Sequence, residues 1–233
     1  MRALRTPFRF NPARYGPERL QKMQQGGRML LEAQRALAQR GQTVLSKVGP
    51  KDGKFSLWDH YPADEVSDRE RGFHYYYHSH RITAQEHGHF HLYAMLHADG
   101  SAPTPDNPLA EGEGPSHLLA IAVDPQGLPT RIFSANQWVT QGHWLPAETL
   151  LPRLENFGID NARHWAQVTR WLSGFVQLFW PQIETLLKAR DVQVAEWRGD
   201  TDWEKFWNDQ SVEILNYIPL DLERQLALVQ GGE

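Results

Sequence analysis

The 233-residue chain contains no cysteine. That excludes a disulfide framework, a thiolate nucleophile and every cysteine-based zinc or iron–sulfur site, so any metal must be held by nitrogen and oxygen ligands. An excess of basic charge is also missing: 24 Lys and Arg against 28 Asp and Glu leave a formal net charge of −4 and an isoelectric point near 6.3. Nucleic-acid binding through bulk electrostatics is therefore not expected, and no basic stripe interleaved with aromatics is visible. No window approaches the run of about 20 apolar residues that crosses a bilayer. The basic opening MRALRTPFRFNPARYG lacks the apolar stretch of a secretory signal. It has the charge of an organelle presequence, with no acid before Glu18, but its prolines suit an amphipathic helix poorly. The expectation is a cytoplasmic protein without a membrane or nucleic-acid partner. What the chain does hold is 40% apolar residues and nine Trp, enough for a packed core rather than a disordered chain.

Histidines are concentrated in two short stretches. FHYYYHSH carries His74, Tyr76, His78 and His80 on alternate residues, and EHGHFH carries His87, His89 and His91. Alternation with period two places each set on one face of a β-strand. With Ile82 to Gln85 as a hairpin loop and Arg81 opposite Glu86, His80 faces His87, His78 faces His89, Tyr76 faces His91 and His74 faces Tyr93. Opposed side chains have Cβ atoms about 4.5–5.5 Å apart, the scale on which imidazoles share one ion. The other face carries Phe73, Tyr75, Tyr77, Phe90, Leu92, Ala94 and Leu96, so that face belongs to the core. Six of the eleven histidines thus stand on one patch away from it. Crowded imidazoles repel one another when charged and have no intrinsic advantage in a strand, so a purely structural reason for the pattern is weak.

The flanks are helical. Pro17 to about Arg40 reads as a helix opened by proline, weakened at Gly26 and Gly27, where it can split. Residues 49–72 are rich in Pro, Gly, Asp and Ser and read as an irregular connection, with His60 and Tyr61 placed to pack beside the sheet. HLLAIAV, the turn Asp124-Pro125-Gln126-Gly127 and LPTRIFSANQWVT form a second hairpin. It puts Leu119, Ile121 and Ile132 on the core face, and Ser116, Ala120, Ala122, Arg131 and Ala135 on the histidine side. Trp165, Val168, Trp171, Leu172, Phe175, Val176 and Phe179 recur at helical spacing, and Pro181 opens a further helix. SVEILNYI reads as a short edge strand and LDLERQLALV as a final helix. The expected organisation is one α+β domain over 1–233: a helical segment at 1–48, a His-rich sheet at 49–148 and a helical part at 149–233. The fold is an antiparallel sheet of about four strands with helices packed on one face.

LWDHYPADEVSDRERGFHYYYHSH, EHGHFHLY and SHLLAIAVDPQGLPTRIFSANQWVT together resemble an uncharacterised bacterial family, a domain of unknown function, over roughly residues 56–148. That resemblance implies no activity, substrate or cofactor. His87-Gly88-His89-Phe90-His91-Leu92-Tyr93 is also similar to the central element of histidine-triad nucleotide hydrolases and transferases, which implies His89 as a nucleophile towards phosphorus. Gly88 at an apolar position and the second histidine strand depart from that family.

The residues themselves point to a transition-metal site, with zinc, copper or iron as the ion. Candidate ligands are His74, His78, His80, His87, His89 and His91, with His78 and His89 at the centre. Glu86 and His89 are candidates for proton transfer or catalysis, and Arg131 for holding an anionic small-molecule substrate. The leading expectation is a His-ligated metalloenzyme, oxidative or hydrolytic. Metal-free phosphoryl or nucleotidyl transfer through His89 is the alternative, and a metal carrier or pH-sensing interaction module comes third.

Overall fold

The computed structural model describes residues 3–79, 86–97, 99–104, 106–108, 115–160 and 163–231. Among them, seven strands form one mixed sheet: β1 (Leu4–Arg5), β2 (Tyr61–Asp68), β3 (Phe73–Ser79), β4 (Gly88–Ala94), β5 (Ser116–Val123), β6 (Pro129–Ala135) and β7 (Ile214–Pro219). Their order is β1-β7-β6-β5-β4-β3-β2, with β1 parallel to β7 and every other pair antiparallel. Eight α-helices accompany them among the described residues: α1 (Pro17–Ala38), α2 (Val44–Val48), α3 (Gln137–Thr140), α4 (Ala147–Glu155), α5 (Ala166–Leu178), α6 (Trp180–Arg198), α7 (Trp203–Trp207) and α8 (Leu222–Val229).

The α+β class stands, but the four-strand sheet is corrected to seven. Strands β3 to β6 are the two hairpins read from the sequence, the first from period-two alternation and the second from its turn. β2 lies in the stretch read as an irregular connection: its pairing slips between Tyr61, opposite Tyr77, and Val66, opposite Tyr75. Three extra residues on one side of the ladder erase the alternation that would have announced a strand. β7 and β1 come from the outer segments, so the sheet draws on all three stretches of the chain. SVEILNYI is not the edge, because the two-residue β1 pairs alongside it.

One apolar core joins the sheet to the helices. Tyr75, Phe90, Leu119, Ile121 and Ile132 share it with Leu30 of α1, Trp171 of α5, Ile183 of α6 and Val229 of α8. Phe90 meets Trp171 with ring centroids 5.8 Å apart, and Tyr75 Oη lies 3.3 Å from Thr169 Oγ1. α6 is fastened to β7 where Gln193 Nε2 donates to Leu215 O at 2.7 Å and Asn216 Nδ2 to Leu186 O at 2.9 Å. α1 runs unbroken through Gly26 and Gly27. A β-carbon on Gly26 would come within 2.7 Å of Gly174 O, and one on Gly174 within 2.6 Å of Gly26 O. The two glycines are therefore the crossing point of α1 and α5, where a side chain would push the helices apart.

Candidate metal centre

The β3–β4 register is the one expected: His78 pairs with His89, Tyr76 with His91 and His74 with Tyr93. Both strands are buried along their whole length, on the histidine side as well as the core side. Opposition across the ladder and a two-residue step along β4 bring three imidazoles to one point. His78 Nε2 is 2.7 Å from His89 Nε2 and 3.2 Å from His91 Nε2, and one ligand atom from each residue lies within 4.8 Å of the others. Relative exposures of 6%, 5% and 1% leave the cluster almost dry.

Three imidazoles converging in this way suit an ion. Two nitrogens bound at about 2.0–2.1 Å to a tetrahedral zinc lie roughly 3.3 Å apart, close to the His78–His91 spacing and wider than the His78–His89 one, so those two rings would move apart slightly to take the ion. A neutral ring nitrogen carries one hydrogen or one lone pair, so His78 Nε2 satisfies one of its two imidazole neighbours well. A cation accepts all three lone pairs at once. It also offsets the cost of burying three polar rings together.

Two of the nitrogens facing away from the cluster, those of His89 and His91, have neighbours that would orient such ligands. Glu86 Oε1 stands 3.5 Å from His89 Nδ1, and Glu86 Oε2 pairs with Arg131 Nη2 at 2.7 Å. His117 Nε2 lies 2.9 Å from His91 Nδ1. Burial, with Arg190 and the nearby His89 and His74 adding to it, pushes the His117 pKa down to about 3. His117 is therefore neutral near pH 7, able to accept from His91 Nδ1–H and leave the His91 Nε2 lone pair pointing inwards. Ala122 and Ala120 lie opposite His89 and His91, and Phe133 closes the side at 4.8 Å between ring centroids from His89.

His117 was not among the expected ligands or their supports. Its place depends on a bulge: Leu92 pairs with Leu119 but Tyr93 with His117, so Leu118 is the extra residue and His117 turns to the histidine face. Strict alternation assigns His117 to the core face.

Two expected ligands stand apart from the cluster. His87 precedes β4, where alternation lapses, and its Nδ1 meets Tyr77 Oη at 2.5 Å beside Phe55. The run from His87 to His91 therefore does not present three histidines on one side, as the histidine-triad element would. His74 lies at the far end of the patch, stacked on Tyr93 at 4.4 Å, with Nε2 3.7 Å from Glu65 Oε2. His80, Arg81 and the residues expected to form the hairpin loop, Ile82 to Gln85, lie outside the described residues. Asn136 caps α3, its side chain accepting from Gln137 N at 2.7 Å.

Beside the cluster lies a cavity of about 490 Å³ whose lining includes His60, Glu65, His74, Tyr76 and Tyr93. Glu65 sits in the β2 irregularity at φ 53°, a strained value for a residue with a side chain. Its Oε1 meets His60 Nδ1 at 2.7 Å. His60 stacks on Tyr76 at 3.7 Å, and the Tyr76 and Tyr93 hydroxyls are 2.8 Å apart. Burial, foremost, raises both tyrosine pKa values, so the pair stays protonated. Tyr76 is the shared wall: it lines the cavity, and its ring centroid is 5.2 Å from that of His91.

Burial lowers the His74 pKa from 6.5 to about 4; Glu65 opposes the shift and His60 adds to it. The folded state keeps His74 neutral while the unfolded chain takes up a proton below about pH 6.5. This contribution to stability is therefore complete above pH 6.5 and drains away as the pH falls towards 4. At about 1.4 kcal/mol per pKa unit the expected loss is about 3 kcal/mol. Urea denaturation of metal-free protein at pH 7.5, 5.5 and 4.5 measures it, and His74→Phe should lose about that much less over the same interval.

Among the described residues, no helix is long and apolar enough to cross a membrane. Neither a curated protein nor a solved structure matches the chain. The family model of a domain of unknown function, DUF6969, matches residues 24–220, which takes in β2 to β7, the histidine cluster and the cavity beside it. The chain belongs to the DUF6969 family.

Proposed function

We propose that this protein binds one transition-metal ion through His78, His89 and His91 and uses it on a small-molecule substrate. The observation that carries the reading is the convergence of three buried ring nitrogens within 4.8 Å of one another. Three histidine ligands and a coordination position left for water or substrate is the arrangement typical of catalytic rather than structural zinc. Zinc, copper and iron all suit imidazole ligands. Glu86 and His117 orient His89 and His91, and Arg131 holds the Glu86 carboxylate in place. The neighbouring cavity, walled by Tyr76, is the place for the substrate. Hydrolytic and oxidative reactions are both within the reach of such a centre.

The test is elemental analysis of protein purified without a histidine tag or nickel column, followed by titration of the chelator-stripped protein with zinc, copper(II) and iron(II). One equivalent of a single metal, bound tightly and released by chelator, is expected. Absence of saturable binding by any of the three would remove the proposal.

A further inference from the structure

The arginine-rich opening of the chain plays no part in the histidine site. It enters the sheet as β1, where Leu4 and Arg5 pair with Asn216 and Tyr217 and Thr6 N donates to Tyr217 O at 2.9 Å. A cavity of about 640 Å³ lies between this segment, the end of β7 and α8, a volume within the usual range of about 300–1,000 Å³ for small-molecule sites. Arg5, Arg9 and Arg224 stand around it, and among the described residues none of their side chains makes an ion pair or hydrogen bond. Asp221 is the acidic side chain in the lining, and its Oδ1 caps α8 by accepting from Arg224 N at 2.9 Å. Positive charge is therefore in excess.

The lining also contains a buried amide. Gln182 is 5% exposed; its Nε2 donates to Gln225 Oε1 at 2.7 Å, and Gln225 Nε2 donates to Leu178 O at 2.9 Å. That chain of bonds fixes the orientation of both amides. It leaves Gln182 Oε1 buried without a hydrogen-bond partner, which is a cost to the fold. Half-buried Phe8 and Phe10 add aromatic surface to the same lining. Three guanidinium groups without ion-pair partners among the described residues thus share one hollow with aromatic surface. A ligand that is anionic at one end and apolar or aromatic in its body matches both features.

We propose that this cavity binds a nucleotide-sized organic phosphate, with its phosphate oxygens on Arg5, Arg9 and Arg224 and its ring system against Phe8 and Phe10. The guanidinium fork matches phosphate oxygens in pairs, and three forks suit more than one negative charge. An aliphatic carboxylate would use one arginine and leave the aromatic surface without a partner. This site is independent of the metal reading: the β1–β7 edge is separated from the histidine strands β3 and β4 by β5 and β6.

Calorimetric titration of the full chain with ADP and with inorganic pyrophosphate tests the assignment. Chelator is present throughout, so that phosphate oxygens cannot report on an ion at the histidines. ADP should bind at one site per chain, at least about tenfold more tightly than pyrophosphate, because the body contributes as well as the charge. The triple variant Arg5→Gln, Arg9→Gln, Arg224→Gln alters exposed side chains and should melt like the parent. It should bind ADP at least about 100-fold more weakly, as expected for the loss of several charge-assisted bonds. Three results would each overturn the proposal: no saturable ADP binding up to millimolar concentration, unchanged affinity in the triple variant, or equal affinity for ADP and pyrophosphate.

Discussion

Replacing His91 by Ala is expected to weaken metal binding by more than about 100-fold, beyond the ~10–100-fold typical of losing an outer-shell partner. His91 is 1% exposed, with its ring held on one side by His117 and directed by the other nitrogen at His78. Its removal takes away a ligand and leaves His117 facing a gap. Glu86→Gln should fall in the milder range, because its carboxylate acts on His89 from 3.5 Å rather than on the ion. The same ranking should appear in thermal melts. An ion present at 100 times its Kd stabilises the folded state by about 2.7 kcal/mol, so the parent should melt higher with metal than without, and His91→Ala should melt alike in both. A His91→Ala protein that kept the metal-induced rise would place the ion elsewhere.

The second large effect runs against helix propensity. Gly174→Ala would favour an isolated helix by about 1 kcal/mol, yet here it is expected to destabilise the protein by about 1–3 kcal/mol. The added carbon would sit 2.6 Å from Gly26 O and 2.7 Å from Leu30 N, both backbone atoms that can yield only if α1 and α5 separate. Urea denaturation of parent and variant measures it, and a stabilised variant would show that the helices are free to part. Metal stoichiometry should stay unchanged in Gly174→Ala, since the crossing lies on the opposite face of the sheet from the cluster. The two substitutions thus separate folding from binding.

These residues also show what the sequence made legible. The pairing of His78 with His89 and Tyr76 with His91 follows from alternation and a short connection, because one face of both strands is continuously apolar and a slip of one residue would turn that face outwards. Arg131 was placed on the histidine side by the same reasoning and is found there, paired to Glu86. Bulges defeat this logic. The extra residue at Leu118 brings His117 beside His91, and the slip before Val66 conceals β2 together with Glu65, which reaches both His60 and His74. His87 fails for a related reason: the period holds only inside the strand, and the strand begins at Gly88. Gly26 read as a weak point in a helix because propensity is local, whereas its partner Gly174 is far away in the chain. The cavity of the arginine-rich segment was not legible either, since β1 is too short for any period to show.

β1 has a further consequence, for what the sheet does not do. Without it β7 would be the border strand, and Ile214 to Ile218 would offer a mostly apolar row of open N–H and C=O groups to the strand of another chain. The two residues of β1, with Thr6 N donating to Tyr217 O, cover the middle of that row at Asn216 and Tyr217 and are too short and too charged at Arg5 to offer a new one. At the other border, β2 carries Pro62, Asp64 and Glu65 and an interrupted ladder, which discourages pairing in the same way. With both borders blunted, strands as sticky as FHYYYHS and GHFHLYA stay confined to the middle of the sheet, where a neighbouring molecule cannot add to them.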